Sequence, residues 1–90
     1  MRPEIAVAFI AQEYKKASSA FPKFNSAHEG WAVLKEEVDE LWEAVRLNQK
    51  TPDRAERLEE EAIQVGAMAV RFLVDCCSSQ DCADLRRKEK

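Results

Sequence analysis

Glycine and proline are scarce in this 90-residue chain, at two and three residues, and no segment alternates apolar and polar residues with a period of two. That leaves little room for the turns and half-buried strands of a β-protein, and an all-α fold is expected. No apolar run approaches the roughly 20 residues that span a bilayer, so no membrane partner is expected. The start, Met1-Arg2-Pro3-Glu4, has neither the basic nor the apolar region of a secretory signal, and the expected location is cytoplasmic. Strong charge of either sign is also missing. Fourteen basic against seventeen acidic residues leave a net charge of −3, which supplies no positive footprint for a nucleic-acid backbone, and no such partner is expected. A lone histidine far from Cys76, Cys77 and Cys82 does not complete a zinc site. An odd number of thiols is no disulfide framework either, so they read as reduced and incidental.

Against these absences stand long stretches of helical periodicity. Pro3 suits a first helical turn, and Ala6, Phe9, Ile10, Tyr14 and Ala17 recur as an apolar stripe, predicting a helix over about 3–17. Ser18, Ser19 and the Phe21-Pro22 pair are expected to end it, because the residue before a proline is pushed out of helical geometry. After a loop over 18–25, Ser26-Ala27-His28-Glu29 has the form of a capping box. It opens a second helix over about 27–48, with Trp31, Leu34, Val38, Leu41 and Val45 spaced as a packing seam. Thr51-Pro52 then offers an N-cap and an N1 proline for a third helix over about 52–77. The short link predicts that these two lie antiparallel. Ser78 and Ser79 interrupt the pattern, and a weak terminal helix over 80–88 follows. The whole is one domain, 1–90, and a chain this short buries only about 60% of its unfolded surface, so a second copy would help it.

The acidic residues are not spread evenly. Glu36-Glu37-Val38-Asp39-Glu40 lies in the second helix and Glu59-Glu60-Glu61-Ala62-Ile63-Gln64 in the third. At about 100° per residue, Glu36, Asp39, Glu43 and Arg46 share a solvated flank. Glu37 and Glu40 fall on the other flank with Gly30, Val33 and Ala44, whose small size lets a neighbouring backbone approach and forms a crevice. On the third helix Leu58, Ala62, Val65, Ala69 and Phe72 make one apolar seam and Ile63, Ala67, Val70 and Val74 another. Between them runs a polar stripe, Arg57, Glu61, Gln64, Met68, Arg71 and Asp75. Polar groups beside so much apolar surface need partners: i,i+4 pairing supplies them for Arg57 with Glu61 and for Arg71 with Asp75. A shared cation supplies one for the carboxylates, since Mg²⁺ takes oxygen ligands and keeps places for water and phosphate.

From about Phe24 to Asp75 the chain resembles the all-α nucleoside triphosphate pyrophosphohydrolases of the MazG-like kind, in their short-chain branch. Their signature is E-E-x-x-E on one helix and E-x-x-D on the next. Glu36-Glu37-Val38-Asp39-Glu40 fits the first half and Glu61-Ala62-Ile63-Gln64 the second in all but its last residue. The resemblance implies a four-helix bundle completed by oligomerisation, as a homodimer or homotetramer. It also implies Mg²⁺-dependent (or Mn²⁺-dependent) cleavage of a (d)NTP to the monophosphate and pyrophosphate, a house-cleaning activity. Carried over by position, Glu37, Glu40 and Glu61 would ligate the metal, and Glu36 would bind a second ion or position the attacking water. Gln64 stands where the family has aspartate and offers a neutral oxygen. The site then works with fewer charges, or Asp75 substitutes from about 16 Å along the axis, or turnover is lost and a nucleotide-binding or oligomerising helical module remains. The first is expected, because three carboxylates and triphosphate oxygens still satisfy an octahedral ion.

Further residues have a reading toward the same substrate. Arg71 and Lys35 are candidates for phosphate contact, with Lys50 and Arg54 behind them, each set against an ordinary surface charge. His28 lies where a helix N-terminus favours anions, or is an exposed residue of the capping turn. Trp31 stacks on a base at the helix mouth or belongs to the core seam, and Phe21 and Phe24 close over a base or simply pack.

Overall fold

The computed structural model describes residues 1–77, which form three α-helices and no strand: α1 (Pro3–Ala20), α2 (Ala27–Arg46) and α3 (Arg54–Cys76). The expected helix over 80–88 and Cys82 lie outside the described residues. No helix among the described residues is long and apolar enough to cross a membrane.

Each helix boundary has a local cause. Helix α1 runs three residues past the expected end because the Ser18 and Ser19 hydroxyls donate to the carbonyls of Tyr14 and Lys15, at 2.8 and 3.0 Å, instead of competing with the helix. Phe21, extended before Pro22, then stops it. At the start of α2, Ser26 Oγ accepts the Glu29 N–H at 3.1 Å as the capping box requires. The glutamate's return arm reaches one residue further than expected, accepting the Asn25 N–H at 2.7 Å.

Between α2 and α3 the expectation of a Thr51 cap is corrected. The Thr51 N–H donates to the Asn48 carbonyl at 2.9 Å, and Asn48 Oδ1 accepts the Lys50 N–H at 2.8 Å, so Asn48 organises the turn as an Asx residue does. Helix α3 starts only at Arg54. The Arg54 side chain folds back to donate to the Leu47 and Val45 carbonyls, both at 3.0 Å, closing the C-terminus of α2 with a cation. It is a structural clasp rather than a free phosphate contact.

Helices α1 and α2 both pack on α3 rather than on one another. The approach is close where glycine permits it. A Cβ at Gly30 would stand 2.8 Å from the Phe72 ring, and one at Gly66 would stand 2.6 Å from Ile10 Cδ1. The small core joins Ala17, Ala67 and Met68, with Tyr14, Val33 and Leu34 packed against it.

Two faces differ from expectation. The side of α2 turned to α3 carries Gly30, Val33, Leu34, Glu37, Leu41 and Ala44, whereas Trp31, Val38 and Val45 of the expected seam are exposed. On α3 the most buried positions are Ala67, Met68 and Arg71, so the polar stripe faces inward and Ala62 of the expected seam faces out. On α2 small residues decide this, because a helix closes furthest along the stripe with least bulk, Gly30 and Ala44.

Candidate functional site

Because α1 and α2 flank α3, its polar stripe becomes the floor of a groove. Toward one end of that floor sit the carboxylates. One oxygen each from Glu37, Glu40 and Glu61 lies within 4.8 Å of the others, with Glu37 and Glu61 half-buried and Glu40 exposed. The crossing of antiparallel α2 and α3 makes the convergence, since residues one turn apart on α2 look across at one position on α3.

The electrostatics are those of crowded like charges. Glu37 Oε2 is buried and has no hydrogen-bond partner. Burial first, then the charge of Glu40 and a hydrogen bond shared with it, then the charges of Glu61 and Glu36, push the Glu37 carboxyl up to about 7. Glu61 is raised as well, first by burial and then by its hydrogen bond with Glu40 and that residue's charge, against the opposing pull of Arg57. Carboxylates this close share protons or a cation, because they resist ionising together.

Next to the cluster lies a groove of about 570 Å³ that is apolar on its walls, with Phe21, Phe24, Val33 and Met68, and carries Lys16, Lys23 and Arg71 against Glu13 and Glu29. Gln64, one turn from Glu61, lines it too. Arg71 is buried, 5% exposed. Its Nη2 donates to the Pro22 carbonyl at 2.9 Å, and its guanidinium stands over the Phe24 ring at 4.3 Å. Asp75 Oδ2 accepts the Phe24 N–H at 3.1 Å. Arg71 and Asp75 therefore hold the loop after α1 rather than each other, and the i,i+4 pairing expected for them is replaced by this clamp.

The structure brings together Glu37, Glu40 and Glu61, and sets Gln64 and Arg71 in the adjoining groove. Glu36 is exposed beside the cluster, close enough to raise Glu37. Lys35 stands apart, paired with Asp39 on the outer side of α2 at 3.0 Å. His28 and Trp31 are exposed, and neither is among the residues lining the groove. Lys16, Lys23 and Asn25 line it without having been singled out in sequence. The one local signal for them is the aromatic pair bracketing Pro22, which marks a loop with something to cover. Cys76 and Cys77 are free thiols.

No protein-family model matches this chain, and no curated protein or solved structure matches it significantly.

Proposed function

We propose that the chain is a Mg²⁺-dependent nucleoside triphosphate pyrophosphohydrolase, with Mn²⁺ able to serve in place of Mg²⁺. The observation that carries this reading is the convergence of Glu37, Glu40 and Glu61 within 4.8 Å, beside a groove wide enough for a base. The donor set suits a hard cation: oxygens only, few in number, with one of them orphaned in a half-buried position. When bound, Mg²⁺ would supply charge neutralisation of the polyphosphate and a more acidic water.

The chain's own residues have separate tasks. Glu37, Glu40 and Glu61 would hold the cation, and Glu36, exposed beside them, would orient the attacking water. Water adds at the α phosphorus, the bond to the bridging oxygen breaks, and pyrophosphate leaves with the nucleoside monophosphate as the other product. Arg71 holds Phe24 and the loop carbonyl of Pro22 in place, so that the apolar walls are preformed for a base. Lys16 and Lys23 are better placed than Lys35 to meet phosphate, since they line the groove. The same reading carries a homodimer or homotetramer completing a four-helix bundle, and a cytoplasmic role in clearing unwanted (d)NTPs.

Gln64 favours a second reading. A neutral side chain where the signature has aspartate weakens the hold on a cation, leaving nucleotide binding without turnover. A panel of nucleotides assayed for pyrophosphate with Mg²⁺ and with EDTA separates the two. Metal-dependent release supports the enzyme, and nucleotide-dependent thermal stabilisation without product supports the binding module. Neither effect with any nucleotide sinks both.

A further inference from the structure

Among the described residues Arg71 is the one buried charge, and no acid pairs with it. The ion pairs there join Arg2 with Glu4, Lys35 with Asp39 and Arg46 with Glu43. A guanidinium carries five N–H donors. One of them goes to the Pro22 carbonyl at 2.9 Å, and another reaches the Met68 sulfur only loosely, at 3.7 Å. No nitrogen of Arg71 is among the described side-chain atoms that are buried without a partner, so the remaining donors face open space. Arg71 borders a cavity of about 130 Å³ beside Phe21 and the groove of about 570 Å³, and of the two only the groove is also lined by Gln64, one turn from Glu61. The groove has a free acceptor as well. Glu29 spends both carboxylate oxygens on Asn25, at 2.7 and 3.2 Å. Glu13, half-buried on the α1 wall, is in none of those ion pairs.

We infer, on the reading of the ligand as a nucleotide, that this groove selects guanine: Arg71 donates to O6 and N7 of the base, and Glu13 accepts from N1–H and the exocyclic amine. An arginine fork matches that pair of adjacent acceptors. Adenine sets an amine where O6 stands, donor against donor, and thymine or uracil offers no two acceptors side by side. Cytosine does offer two, in O2 and N3, but it is too short. Ten residues part Arg71 from Glu61, about 15 Å along α3, and with the phosphates at the carboxylate end a double ring reaches toward Arg71 where a single ring stops short. A buried cation without an acid is costly to a fold, and the acceptors of the base supply what the chain itself leaves out.

The test is calorimetric binding of dGTP, dATP, dCTP and dTTP in Mg²⁺, each as its non-hydrolysable α,β-methylene form, so that affinity is read whether or not the chain turns over. The guanine form should bind on the order of tenfold more tightly than the others. Replacing its N7 by C–H, or removing its exocyclic amine, should each forfeit most of that advantage. Arg71→Lys keeps the charge and loses the fork, so it should weaken the guanine form and erase the effect of the N7 replacement, whereas a purely structural Arg71 would weaken all four bases alike. Glu13→Gln should close the gap between guanine and its amine-free analogue. Should the Arg71 variant unfold, the two analogues on the unmodified chain decide. Equal binding of all four bases, an N7 replacement without effect, or inorganic pyrophosphate binding as tightly as the guanine form overturns the inference. Pyrophosphate released alike from every nucleotide would sink the choice of guanine and leave the pyrophosphohydrolase standing, and a chain that binds no nucleotide sinks both.

Discussion

The two sides of α2 carry opposite kinds of residue and have opposite fates. The side against α3 holds Gly30 and Ala44, both buried, and places Glu37 between them. The other side holds both tryptophans of the chain, and both are 56% exposed. Hydrophobicity alone would have turned the tryptophans inward. Close approach wins instead, because Gly30 allows the Phe72 ring to lie where a Cβ would stand, and packing at near-crystalline density rewards the stripe with no bulk in the way. A carboxylate on the narrow side is consequently carried into a half-buried position, where it meets Glu61. The site is thus a by-product of how tightly these helices can close.

Four measurements sharpen or break that contrast, starting with the greatest expected effect. If the inner side carries the chemistry, Glu40→Gln should lower Mg²⁺-dependent pyrophosphate release on the order of 100-fold, equivalent to about 2.7 kcal/mol in the barrier. Its helical circular dichroism should be unchanged, and turnover at the wild-type rate would remove the cluster from the mechanism. Arg71→Ala deletes the bond to the Pro22 carbonyl and the contact with Phe24, and should cost about 2 kcal/mol in urea unfolding. A loss confined to a few tenths would show that the loop does not depend on the clamp.

Gly30→Ala tests the close approach directly. Alanine gains about 1 kcal/mol in helix propensity, but its Cβ would fall 2.8 Å from Phe72 and 3.1 Å from Phe24, both rings rather than yielding chain ends. A net destabilisation of about 1–2 kcal/mol is expected, since overpacking costs about 1–3 kcal/mol in itself, and a stabilised variant would mean the two helices have slack between them. The smallest effect is on pH. Glu37 and Glu61 are both raised by folding, so the protonated forms favour the folded state. Their contribution is fully present below the ordinary carboxylate range and is lost as pH rises above it, for Glu37 through about 7. In EDTA the melting temperature should therefore be higher at pH 5 than at pH 8, by a few degrees at most for such partly exposed groups. Glu37→Gln should flatten the difference, and Mg²⁺ should raise the melting temperature at pH 8 in the unmodified chain. A profile that climbs steadily from pH 5 to pH 8 in EDTA would contradict the crowding.

Much of this was readable from the residues. The Ser26 cap depends on neighbours within four positions and appears where the sequence puts it, whereas of the two signals expected to end α1 only Phe21-Pro22 acts, three residues later than expected. The separation of Glu37 from the solvated flank that carries Glu36 also appears as expected, because the helical period alone fixes it. The groove was not readable, since Lys16, Phe24, Val33 and Gln64 come from three helices and a loop, and no local pattern joins them. Arg54 and Arg71 misled in the same way. In sequence Arg54 reads as a surface cation and Arg71 as the partner of Asp75 or of a phosphate, and each has carbonyls to bond only after the chain turns back.

By itself, then, the sequence determined that the described residues form three helices, roughly where they begin and end, and which carboxylates share a face, all consequences of contacts within one or two turns. Which face of α2 would meet α3, that the polar stripe of α3 would point inward, and that Arg71 would hold the loop were decided only by the tertiary structure. Those outcomes depend on how closely two surfaces distant in sequence can approach, and side-chain volume at the crossing, not periodicity, sets that distance.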